Sequence, residues 1–307
     1  MGFPAEAAQR IAKLANGISL EYIDLAPLGD SRVSPCDETP GGLRVKPIHF
    51  PGHTRRGSQA DRRDRYRVIA PNYRGAGRSS KPATGFTKSI MAEDIVHLLD
   101  HLGITTKVHV VGHDIGGMIA YSLATRHPHR LLTVNWGECP LPGTSAHEHD
   151  RTDRAVDQFH FIFHSVRDLP EALVAGREAV YLGHFFDKLA ANAGAIGPAD
   201  REHYATAYSQ PGAMRCAFEV YRAFLEDAEE NRAWVARHGR CAEVPAVCLS
   251  GGESAHCGQA EGMFAEVHEQ GTYQVEAVPG AGHFLAEENP EGFVEKTLAF
   301  VRKHDVG

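Results

Sequence analysis

Val108-His109-Val110-Val111-Gly112-His113-Asp114-Ile115-Gly116-Gly117 holds a strand, a sharp turn and a helix start within a few residues. The β-branched run has the character of a buried parallel strand. It meets Gly112 at once, and the helix-like segment 115–127 stops before Pro128. Glycines on both sides of the turn let one strained residue stand above the end of a sheet, and the helix N-terminus behind it favours negative charge there. That residue is Asp114. With an ordinary pKa of about 4, a carboxylate at this point is ionised at neutral pH and needs no base to become a nucleophile. The plainer reading is a Gly-rich turn with Asp as N-cap. A dinucleotide loop is not indicated, because G-x-G-x-x-G is not met.

Outward from this turn, strand and helix patterns alternate. Tyr66–Ala70 is a strand that Pro71 is expected to end, and 88–102 puts Ile90, Met91, Ile95, Leu98, Leu99 and Leu102 on one helical face before Gly103. Strands follow at 131–136, 244–249 and 273–278, and Asn289-Pro290 opens a last amphipathic helix. This order predicts an α/β fold, a mostly parallel sheet with helices on both faces. From about Cys139 to Trp234 the rhythm breaks into helix formers and aromatics without a convincing strand. The expected organisation is therefore a core of residues 1–138 and 236–307 with a helical cap, 139–235, inserted between two strands. Asn16-Gly17 marks a hairpin near the N-terminus. Residues 31–64 are polar and Pro/Gly-rich, and eight Lys/Arg stand against two Asp between Arg44 and Arg67.

Downstream, Pro279-Gly280-Ala281-Gly282-His283-Phe284 sets a histidine in a glycine-rich turn between the last strand and the last helix. A nucleophile followed late in the chain by such a His suits nucleophilic catalysis, with His283 activating water against an ester of Asp114. Two carboxylates compete to orient His283: Glu138, after the strand 131–136, and Glu253, in Ser250-Gly251-Gly252-Glu253. Both strand ends face the crevice above a parallel sheet.

At these residues the chain resembles the epoxide hydrolase and dehalogenase branch of the α/β-hydrolase superfamily, over roughly 66–303. Val111–Gly117 resembles its Asp-nucleophile elbow, and Arg74-Gly75-Ala76-Gly77-Arg78-Ser79 its glycine turn. Glu138-Cys139-Pro140-Leu141-Pro142-Gly143 is similar to the segment that carries the charge-relay acid in bacterial-type epoxide hydrolases, which favours Glu138 over Glu253. Phe159-His160-Phe161 and the segment 218–224 resemble the lid positions of a ring-opening pair, His160 and Tyr221. Hydrogen-bond donors there suit the alkoxide that develops as an epoxide opens. Packing in an aromatic lid is the bland alternative for both. Fluoroacetate dehalogenases share the frame but carry arginines for a carboxylate where this chain has Ile115 and Met118, and Phe161 stands where a halide-contacting Trp is expected. The resemblance thus implies a small neutral hydrophobic epoxide and water as reactants, with a dehalogenase as the rival. One departure is the third strand, where Val45-Lys46-Pro47-Ile48-His49-Phe50-Pro51-Gly52 replaces an apolar strand running into His-Gly-x-Pro. Ile115 and Phe50 are the candidate backbone donors of an oxyanion hole. Damage in this region would suit a non-enzymatic scaffold with a hydrolase fold.

Composition narrows the classes further. A net charge of -7 argues against nucleic acid. Six scattered cysteines without a C-x-x-C pair fit free thiols, and neither a signal peptide nor a membrane-length apolar run is visible, so a cytoplasmic protein is expected. No cofactor or metal is implied, and His256-Cys257 looks too isolated to form a site. Whether the chain is a monomer or a homodimer stays open.

Overall fold

The computed structural model describes residues 9–25, 41–45, 66–151 and 158–305, the stretch 41–45 through its backbone. Eight strands among the described residues form one sheet: β1 (Gln9–Lys13), β2 (Ser19–Leu25), β3 (Gly41–Val45), β4 (Arg67–Asn72), β5 (Val108–Gly112), β6 (Leu131–Trp136), β7 (Ala246–Gly251) and β8 (Tyr273–Val278). The order across it is β1-β2-β4-β3-β5-β6-β7-β8. The hairpin β1–β2 joins β4 antiparallel, and every pair from β4 to β8 is parallel.

The centre of the sheet explains its sequence. Val108, His109, Val110 and Val111 of β5 are all buried, as a strand covered on both faces must be. The histidine is tolerated because Nδ1 meets the Thr133 hydroxyl at 2.8 Å and Nε2 the Asp305 carboxylate at 3.0 Å. Helix α1 (Lys88–His101) turns Met91, Ile95, Leu98 and Leu99 into the core; Ile90, expected with them, is 41% exposed. Pro71 lies inside β4, opposite Tyr22, rather than ending the strand.

The third strand also departs from expectation. It occupies 41–45, with Gly42 opposite His109 and Val45 opposite Gly112. A glycine-led segment of low apolar content takes a central place because its two parallel neighbours satisfy its backbone groups. Phe50 and the rest of the arginine-rich window lie outside the described residues.

Helix α2 (Ile115–Arg126) follows β5, and α12 (Pro290–Lys303) closes the chain, its N-cap Asn289 accepting from the Gly292 N–H at 2.9 Å. Between β6 and β7 run α3 (Ser145–Asp150), α4 (His160–Phe163), α5 (Leu169–Val174), α6 (Glu178–Leu189), α7 (Pro198–Tyr208), α8 (Ala213–Arg222) and α9 (Phe224–His238), with no strand among the described residues. Helices α10 (Ala260–Val267) and α11 (Leu285–Glu288) flank β8. No described helix is long and apolar enough to cross a membrane.

Candidate active site

The turn between β5 and α2 is built by close approach. A Cβ on Gly112 would stand 2.2 Å from the Gly116 carbonyl oxygen, so only glycine lets the strand pass this near the helix start. The turn forces Asp114 into φ 53°, ψ -124° as N-cap of α2, with its N–H on the Gly137 carbonyl at 3.0 Å. Three non-glycine residues among those described have positive φ, namely Asp114, Glu138 and Asp168. Two of them meet at the same spot above the sheet, and strain of this kind persists where the surroundings over-determine it.

Asp114, Glu138 and His283 come together at the carboxyl ends of β5, β6 and β8. His283 Nδ1 lies 3.2 Å from Glu138 Oε2, and Nε2 lies 4.0 Å from Asp114 Oδ2. Glu138 is fixed from behind: Oε1 accepts the Gly251 N–H at 2.8 Å and Oε2 accepts the Ser254 hydroxyl at 2.8 Å. The His283 backbone is held as well, its N–H on the Leu189 carbonyl at 2.9 Å and its carbonyl 2.6 Å from His113 Nε2. A Cβ on Gly282 would sit 2.5 Å from the Ala191 nitrogen, which is why a glycine precedes this histidine. Glu253 stands differently. Its side chain is exposed past the end of β7, and its backbone N–H donates to the Ala281 carbonyl.

Opposite these groups, α4 brings in His160 and α8 brings in Tyr221, both buried, with ring centroids 5.7 Å apart. A cavity of about 20 Å³ is lined by Asp114, Gln158, His160, His256 and His283 together with Pro140, Phe161, Phe185 and Leu189. That is room for about one water. No Lys or Arg lines it among the described residues, and Ile115 and Met118 are themselves buried. The described residues hold no cluster of His, Cys, Asp and Glu able to bind a metal ion.

Burial dominates the electrostatics. It pushes Asp114 up to about 8, with the Glu138 charge adding to the rise and the Ile115 N–H and Lys88 opposing it. Burial thus works against the full ionisation at neutral pH that an ordinary carboxylate would show. Burial likewise raises Glu138 to about 7, against the pull of His256, Ser254 and Gly251. His160 is held well below the usual imidazole range by burial and then by neighbouring histidines, so it is a neutral N–H donor. Tyr221 is held well above the phenol range, by burial first and then the Asp114 charge, and stays protonated.

Several members of this site carried no sequence signal. His256, dismissed as isolated, lines the cavity with its ring 6.3 Å from His283 and Nδ1 3.7 Å from the buried Asp150 carboxylate. Gln158 lines it beside His160. Tyr73 and Tyr208 are buried with hydroxyls that lack a hydrogen-bond partner among the described residues, and the charge on Asp114 bears on both. None belongs to a motif, and each is placed by packing between distant segments.

Comparison with known proteins finds relatives of this chain. A family profile described as alpha/beta hydrolase fold matches residues 55–161. The soluble epoxide hydrolase of Corynebacterium sp. (strain C12) is 31% identical over 77% of this chain and 81% of its own length. The fluoroacetate dehalogenase of Burkholderia sp. is 26% identical over 74% of this chain and 75% of its own. Among solved structures, epoxide hydrolase CorEH superimposes with a TM-score of 0.83 at 25% identity, over 96% of this chain and 99% of that one.

Proposed function

The chain belongs to the α/β-hydrolase fold family, among its epoxide hydrolase-like members, and on that premise we propose that it hydrolyses an epoxide to a vicinal diol through an ester on Asp114. The observation that carries this reading is the cavity wall. The strained Asp114 and His283, the latter paired with Glu138 behind it, share the wall with His160 and Gln158, and no Lys or Arg among the described residues is there to hold an anionic substrate. A dehalogenase acting on a haloacid shares the nucleophile but lacks such a grip here.

In this mechanism a carboxylate oxygen of Asp114 attacks a ring carbon and the C–O bond of the epoxide breaks. The departing oxygen takes the proton of the Tyr221 hydroxyl while the His160 N–H hydrogen-bonds to it. His283 Nε2 then removes a proton from a water that adds to the ester carbonyl, while the Ile115 N–H steadies the developing oxyanion. Collapse breaks the acyl C–O bond, the His283 imidazolium protonates the leaving oxygen to complete the diol, and the second water proton, left on the Asp114 carboxyl, returns to the Tyr221 phenolate. Glu138 holds the His283 tautomer and balances the imidazolium. Residues 139–235 serve as a cap over the core, 1–138 and 236–307, and must part to admit substrate, since the enclosed space is far smaller than a substrate.

A panel of neutral epoxides and haloacids on the purified protein tests the reaction. Diol is expected from epoxides with little halide release from haloacids; the reverse would make it a dehalogenase. Tyr221→Phe and His160→Phe are expected to slow ester formation by on the order of 2–4 kcal/mol in barrier each. Their combined loss should be non-additive if they act on one oxygen. Unchanged single-turnover rates in both variants would remove them from the mechanism.

The same step should depend on pH. Only ionised Asp114 attacks, and its pKa near about 8 leaves it mostly protonated below that value. The single-turnover rate of ester formation should therefore rise with pH, about tenfold per unit, and level off above about 8. A flat profile from pH 6 to 9 would show that the substrate complex ionises Asp114 by other means.

A further inference from the structure

Lys88 is the first residue of α1, on the core, yet its side chain is only 1% exposed and ends among the helices that precede β7. Its ammonium has three acceptors: Asp227 Oδ2 at 2.5 Å, the Val220 carbonyl at 2.9 Å and the Phe86 carbonyl at 3.3 Å. These use all three N–H bonds of the group. The other oxygen of the same carboxylate, Asp227 Oδ1, accepts the Lys88 backbone N–H at 2.7 Å. Thr87, the N-cap of α1, makes no capping bond with its own side chain, so Asp227 caps that helix from 139 residues away. In return the cation sits on the last turn of α8, where carbonyls lack helical partners and positive charge is favoured.

This exchange takes place beside Tyr221. Val220 is its chain neighbour, at the break between α8 and α9 around Ala223. The Lys88 ammonium also lies 4.7 Å over the ring of Phe224, and that ring is 4.9 Å from Tyr221 and 5.7 Å from Phe161, a wall of the cavity. One cation rooted in the core thus holds both the backbone next to Tyr221 and the aromatic ring against it.

We propose that Lys88, paired with Asp227, is a positioning residue that ties the break between α8 and α9 to the first turn of α1 and so fixes Tyr221 against His160 and Phe161, two walls of the cavity that holds Asp114. The inference rests on the reading of Tyr221 as a donor to the departing oxygen. A buried ion pair is a costly way to gain stability, and an apolar pair of similar volume often folds as well. Its use here lies in direction: an ammonium with three fixed acceptors admits one register of the two segments.

The test separates the half-reactions in the full-length enzyme. Lys88→Met should slow single-turnover ester formation from an epoxide by on the order of 100-fold, the scale of a misplaced reacting group. Ester hydrolysis, which uses His283 and Glu138, should stay within about twofold, because those groups sit on other elements. Tyr221→Phe should cost far less in the Lys88→Met background than alone. Should Lys88→Met not fold, Lys88→Met/Asp227→Leu leaves no buried charge unpaired and carries the same measurements. Equal slowing of both half-reactions, or full additivity with Tyr221→Phe, would show a purely structural pair and overturn the inference. If Tyr221→Phe alone slows ester formation but both Lys88 variants leave it intact, only the inference falls. A silent Tyr221→Phe removes the underlying reading and the inference together.

Discussion

His283→Gln should leave the protein carrying its substrate. Ester formation needs the Asp114 carboxylate and the lid donors and proceeds; hydrolysis needs a base at Nε2 and slows by on the order of 10³-fold. Intact-protein mass should then show a stable adduct. With an epoxide the gain equals the whole substrate, because ring opening expels no atoms, whereas a haloacid adduct would lack its halide. The modified peptide should contain Asp114, and the adduct should be absent from Asp114→Ala/His283→Gln. Cys139 offers the main competing nucleophile nearby, but it is buried and its thiol is held well above the usual range, first by burial and then by the Asp114 charge. An adduct that survives removal of Asp114 would refute the ester mechanism.

Glu138→Gln should damage ester hydrolysis as well, and selectively so. The introduced amide can still accept the Gly251 N–H, but it then presents its NH2 to His283 Nδ1. That favours the tautomer with the proton on Nε2, the atom that must act as base. In a comparable arrangement the wrong tautomer costs about 10⁴-fold, and a loss of that order is expected in ester hydrolysis while ester formation changes little. Glu253→Gln, exposed and away from His283, should stay near wild type. If the effects of the two substitutions were exchanged, Glu253 would be the partner of His283 in solution.

The sequence by itself determined what short-range rules govern. Glycine spacing about Asp114 dictates the tight turn, since a Cβ at Gly112 meets the helix start within one turn of chain. The strands 131–136 and 273–278 and the Asn289-capped helix were legible because apolar periodicity and capping are local. The glycine turn ahead of His283 was legible for the same reason. What only the tertiary structure decided depends on distance across the sheet and on burial. Which carboxylate stands at His283 is one case: Glu138 and Glu253 both follow strand ends, but only Glu138 turns inward at positive φ. The third strand is another, because Gly41–Val45 has little strand character and is held by the two neighbours it pairs with. The burial of Lys88 is a third, because its partner Asp227 lies in a helix the sequence could place only in the insertion. Asp114 read as a free carboxylate, because its ordinary pKa belongs to a group in water. The fold removes that water, and the desolvation that makes the charge costly pushes its carboxyl up to about 8.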